Sequence, residues 1–84
     1  HALAVSRTSP SGEEQFYVML NAYWEPLTFT LPPTAVAAPR GWECWLDTSR
    51  TPPDDIHGLG DMARVSGDTY TVASRSVVAL VARR

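Results

Sequence analysis

The sequence predicts an all-β fold, a small two-sheet antiparallel β-sandwich of about seven strands. Three observations point there. Apolar residues recur with a period of two, as they do along a pleated strand. No stretch of 10 or more residues places apolar side chains at i, i+3, i+4 and i+7, the mark of an amphipathic helix. Clusters of Gly, Pro, Ser and Asp punctuate the chain at regular spacing, where turns are needed.

The elements follow in order. Residues 3–7 read as a short first strand, and 8–14 (TSPSGEE) as a turn. Residues 16–21 form a second strand with Phe16, Val18 and Leu20 on one face. Residues 27–31 alternate well, with Leu27, Phe29 and Leu31 inward and Thr28 and Thr30 outward. Pro32 and Pro33 end that strand, because proline has no N–H for a ladder. Between these two strands, Glu25 is held extended by the following Pro26. Residues 22–26 therefore read as a stiff link between the two strands of one hairpin.

Residues 34–41 are a connector, and 42–47 the next strand, with Trp42, Cys44 and Leu46 on one face and Trp45 on the other. Residues 48–61 make a long loop holding Pro52, Pro53, Asp54, Asp55, Gly58 and Gly60. Residues 62–65 and 69–72 read as a second hairpin about the turn 66–68. The last strand, 76–83, is almost continuously apolar, which implies cover on both faces. Phe16, Phe29, Trp42 and Tyr70 fit the alternation as core residues, whereas Tyr23, Trp24 and Trp45 do not.

The 84 residues make one small domain, 1–84, with 44% apolar content, enough for a packed core. The net charge of −2 and the scattered arginines give no footprint for nucleic acid. The apolar runs are too short to span a membrane as helices. One cysteine, Cys44, excludes an internal disulfide and suits a reducing, cytoplasmic setting. The chain opens on His1, as expected of a piece of something longer, and its C-terminus reads as a natural end.

Little in the pattern carries chemistry. His57 near Asp54 and Asp55 could offer metal ligands, but Asp in such loops ordinarily caps turn amides. No metal and no cofactor is expected. Glycoside hydrolysis needs two carboxylates facing each other across a cleft. Glu25, Glu43, Asp47, Asp54, Asp55 and Asp61 show no such pairing and are expected at the solvated surface. Cys44, at an apolar position with no His or Lys nearby, reads as a buried inert thiol.

Four motifs then occur in order: YVMLNAYWEPLTFTLPP (17–33), GWECWLDTS (41–49), PPDDI (52–56) and YTVASRSVVALVA (70–82). Together they resemble the C-terminal β-sandwich domain of bacterial glycogen debranching enzymes, in the isoamylase-like branch of the α-amylase superfamily. The first and last motifs are the specific ones; residues 3–15 match only as a strand and a loop. Cys44 and Trp45 depart from the pattern, which has a basic and an aliphatic residue there. The resemblance implies a parent that hydrolyses α-1,6 branch linkages with an aspartate nucleophile and a glutamate acid/base. Those lie on a (β/α)₈ barrel of 200 residues or more, so no catalytic residue is carried over to this chain.

The resemblance also implies that the domain packs on that barrel. Val77, Ala79 and Val81 are then the interdomain face, with Val78 and Leu80 in the core. An uncovered patch of this kind would make the isolated domain self-associate. The alternative is a carbohydrate-binding module that stacks α-glucan on Tyr23, Trp24 and Trp45. That reading needs exposed, roughly coplanar aromatic faces.

Overall fold

A computed structural model describes residues 2–34, 41–50, 63–65 and 67–83. Among the described residues seven strands appear: β1 (Ala2–Thr8), β2 (Glu14–Asn21), β3 (Leu27–Thr30), β4 (Glu43–Asp47), β5 (Ala63–Arg64), β6 (Thr69–Val72) and β7 (Ser76–Arg83). They form two antiparallel sheets, a large one in the order β1-β2-β7-β4-β5 and a small one of β3 and β6. The all-β, two-sheet expectation is met.

β1 and β2 are a true hairpin. Ser9 N–H donates to Glu14 O at 2.8 Å and Gly12 N–H to Ser9 O at 2.9 Å. Gly12 has φ of 74°, a conformation that glycine alone adopts without Cβ strain. β7 is the central strand, with β2 on one side and β4 on the other. This fits its continuous apolar run: Val78, Leu80 and Ala82 enter the core on one face, and on the other Ala79 and Val81 are buried among the side chains of the flanking strands.

The two other hairpins read from the sequence do not form. β2 pairs with β1 and β7, whereas β3 pairs with β6. Residues 22–26 are thus a crossover from the large sheet to the small one. Likewise β5 pairs with β4, so β5 and β6 lie in different sheets despite the short turn between them. Residues 73–75 make a second crossover, from β6 back to β7. Local turn chemistry marks where a strand ends but not which sheet the next one joins.

The core lies between the sheets. It is built from Met19, Leu31, Trp42, Cys44, Val72, Val78, Leu80 and Ala82, with Tyr17, Phe29 and Tyr70 packed against it. Each fully buried aliphatic side chain contributes about 1.5–3 kcal/mol relative to exposure. Trp42 is fixed by its indole N–H, which donates to Pro32 O at 2.9 Å, and by the Tyr17 ring at 5.9 Å. Phe29, Trp42 and Tyr70 take their expected inward places. Phe16 does not: β2 sends Tyr17 and Met19 inward, and Phe16 lies on the opposite face with Val18 and Leu20.

β4 departs from strict alternation. A register shift between Cys44 and Leu46 inserts Trp45 as a bulge. Cys44 pairs with Leu80 on the core side, but Leu46 falls opposite Ala79 on the outer side. The expectation of Cys44 and Leu46 on one face fails there, because one extra residue reverses a period of two. Past the bulge, Asp47 returns to the core side opposite Val78.

Candidate functional site

The outer face of the large sheet is apolar over most of its extent, with Arg7, Glu14, Glu43 and Arg83 gathered at one end. The register sets Phe16 beside Val81, Val18 beside Ala79 and Leu20 beside Val77. β1 adds Leu3 next to Leu20 and Val5 next to Val18. Trp45 joins from the bulge, its ring 6.3 Å from that of Phe16. Ala79 and Val81 are buried beneath these neighbours, Val77 is half-buried, and Leu3, Val18, Leu20 and Trp45 remain exposed at 57, 39, 38 and 42%.

The opposite surface of the molecule is unlike it. The outer side of the small sheet is Thr28 and Thr30 on β3 with Thr69 and Thr71 on β6, all exposed. Thr28 and Thr71 hydroxyls lie 2.9 Å apart and bond to each other.

Two carboxylates expected at the surface are in fact buried, Glu43 at 2% and Asp47 at 5% exposure. Glu43 sits opposite Val81 on the outer side and accepts from Arg83 Nη2 at 3.3 Å. Asp47 sits on the core side. Tyr70 OH donates to its Oδ2 at 2.7 Å, while Ser49 Oγ and the Ser49 amide donate to Oδ1 at 2.6 and 3.0 Å. Burial pushes the Asp47 carboxyl up, but these donors and the Arg50 guanidinium outweigh it and hold the group below its ordinary value. Tyr70 is pushed up by burial and by its bond to Asp47. The arrangement ties β4 of one sheet to β6 of the other.

Glu43 and Asp47 therefore face opposite sides of one sheet. They cannot flank a common glycosidic bond, as a hydrolytic pair must. Cys44 is buried in the core, 3.8 Å from Tyr70 OH, and burial pushes its thiol up, away from the reactive thiolate. Among the described residues no three His, Cys, Asp or Glu side chains come together as a metal site. His57, Asp54, Asp55 and Asp61 lie outside the described residues. Glu25 is exposed. No helix among the described residues is long and apolar enough to cross a membrane.

The aromatics outside the core form two groups. Tyr23 and Trp24 stack on each other, ring centroids 4.5 Å apart at 23°, with Trp24 68% exposed. Trp45 pairs instead with Phe16. Phe16 and Asn21 are separated along β2 by five residue steps, about 17 Å at strand spacing. Tyr23 and Trp24 thus present one free indole face at the end of β2, not a coplanar surface shared with Trp45.

Asn21 holds this crossover, a role the sequence reading missed. Its amide nitrogen donates to Glu25 O at 2.8 Å, Val72 O at 3.1 Å and Ala73 O at 3.2 Å. Its side-chain oxygen accepts from Tyr23 N–H at 2.9 Å. Arg75 N–H donates to Tyr23 O at 3.2 Å, so the β2–β3 and β6–β7 crossovers are bound side by side. An Asn at a strand end before an aromatic turn was the available signal, since Asn bonds backbone two residues on.

Fold and surfaces define a class: a two-layer antiparallel β-sandwich with one outer face finished for water and the other left apolar. The family described as "Isoamylase, C-terminal" matches residues 1–81, and the chain belongs to that family, the C-terminal domain of isoamylase-type debranching enzymes. No curated protein matches the chain.

Proposed function

We propose that this chain is the domain that packs on the catalytic (β/α)₈ barrel of a glycogen debranching hydrolase, and that it does so through the outer face of its large sheet. The contrast between the two outer faces carries this reading. The same chain that covers its small sheet with four threonines leaves Leu3, Val18, Leu20 and Trp45 open on its large one. A contiguous apolar face of this kind marks a surface that another body covers. Val77, Ala79 and Val81 form the floor of that face, and Trp45 with Phe16 forms its aromatic centre. Hydrolysis of α-1,6 linkages belongs to the barrel, and this domain contributes fold stability rather than a reacting group.

The test uses the full-length enzyme carrying this domain. Val18→Asp with Leu20→Asp is expected to lower the thermal inactivation temperature of the whole enzyme while the isolated domain keeps its β-sheet circular dichroism. An enzyme whose inactivation temperature is unmoved would overturn the proposal.

A further inference from the structure

The edges of the large sheet are unequal. β5 is only two residues long, which protects its edge by brevity. β1 spans seven residues and, among the described residues, pairs on one side only, with β2, in seven successive registers without a bulge. Ala2–Ser6 contains no charge and no proline, the devices that ordinarily guard an edge. Leu3, on this strand, is also the most exposed large aliphatic side chain among the described residues.

We propose that β1 is a self-recognition edge, on which a second copy of this chain adds its own β1 antiparallel to extend the sheet. On an edge strand every second residue turns its N–H and C=O outward, so antiparallel partners must match in parity. A two-fold axis must therefore pass through a residue and not between residues. Val5 is the midpoint of Ala2–Thr8, and an axis there pairs the whole strand. Val5 then meets Val5 of the second copy, Ala4 meets Ser6, and Leu3 meets Arg7. No like charges oppose, and the aliphatic stem of Arg7 can lie along Leu3. The pairing is isologous and closes as a dimer, leaving no edge for further growth on that side.

Sedimentation velocity of the 84-residue chain across a concentration series tests this, with circular dichroism melts as the check on folding. Wild type is expected to show a concentration-dependent dimer. Leu3→Lys places a lysine opposite Arg7 of the second copy at two symmetric positions and is expected to weaken the dimer roughly tenfold. Adding Arg7→Glu converts both repulsions to attractions and restores it. Val77→Thr, on the outer face two strands away, leaves the dimer intact even where it weakens packing on the barrel, so the two proposals fail separately. A chain that stays monomeric, or a dimer that Leu3→Lys weakens and the added Arg7→Glu does not restore, would overturn the edge pairing. The second outcome would place association on the apolar face instead.

Discussion

The two outer surfaces of this sandwich are made by one chain under one set of rules, yet they end differently. On the small sheet, every outward position of β3 and β6 is threonine, which keeps β-propensity while offering a hydroxyl to water. On the large sheet, the outward positions of β1, β2 and β7 include Leu3, Val5, Phe16, Val18, Leu20, Val77, Ala79 and Val81, with the charged Arg7, Glu14 and Arg83 only at one end. Both solutions make good strands, so strand formation does not explain the difference. What differs is the medium each face is suited to meet. A sheet of two short strands can cover only one side of a five-stranded one, and the uncovered side has kept an interior's composition.

The largest effect belongs to the side already covered: Leu80→Ala, fully buried beneath the small sheet, is expected to cost about 2–5 kcal/mol in a urea titration. Asn21→Ala removes the clamp that holds the small sheet's crossovers and leaves buried carbonyls unpaired, costing about 1–3 kcal/mol by the same measurement.

Next comes the polar tie between the sheets, read by melting temperature against pH. The Asp47 carboxyl is held below its ordinary value of 3.8 in the folded chain. Its contribution is therefore complete above that value and lost as pH falls through the lower folded value. Tyr70, raised above its ordinary 10.0, contributes below that pH and loses its contribution as pH climbs above it. Tyr70→Phe should flatten the alkaline limb while leaving one Asp47 oxygen still bonded to Ser49.

The smallest stability effect is expected on the uncovered face. Val18→Thr with Leu20→Thr, which copies the threonine surface onto the large sheet, should change stability by less than about 1 kcal/mol in urea. A loss as large as that of Leu80→Ala would mean that this face is already an interior in the isolated domain. Last, calorimetric titration with maltooligosaccharides to millimolar concentration should give no binding heat, because Tyr23 and Trp24 stack on each other and Trp45 lies elsewhere.

Much of the fold was legible because it depends on local pattern. Alternation located β6 and β7 within their observed bounds and assigned Val78 and Leu80 to the core. Pairing was less legible, because a short turn can join strands of one sheet or of two, and only tertiary packing decides. On β2, the apolar set Phe16, Val18 and Leu20 is the more hydrophobic one, yet the core takes Tyr17 and Met19. The flanking polar residues on that inner side are Gln15 and Asn21, both buried. Gln15 Nε2 donates to Ser6 Oγ at 3.2 Å, and Asn21 is satisfied by the crossovers. Polar residues with assured partners can be interior, and no periodicity reports those partners. Glu43 and Asp47 were misplaced for the same reason, since Arg83 and Tyr70 lie 40 and 23 residues away in sequence. The apolar outer face could be read only in part, because the bulge at Trp45 leaves no mark in composition.

That bulge has an optical consequence. The three indoles occupy three environments: Trp42 is enclosed and hydrogen-bonded, Trp24 stands in water, and Trp45 is poised at 42% exposure on the apolar face. An indole's emission moves to shorter wavelength when water leaves its surroundings. Trp45 alone should change when that face is covered, so a chain with Trp24→Phe and Trp42→Phe would report docking by colour, with no attached dye.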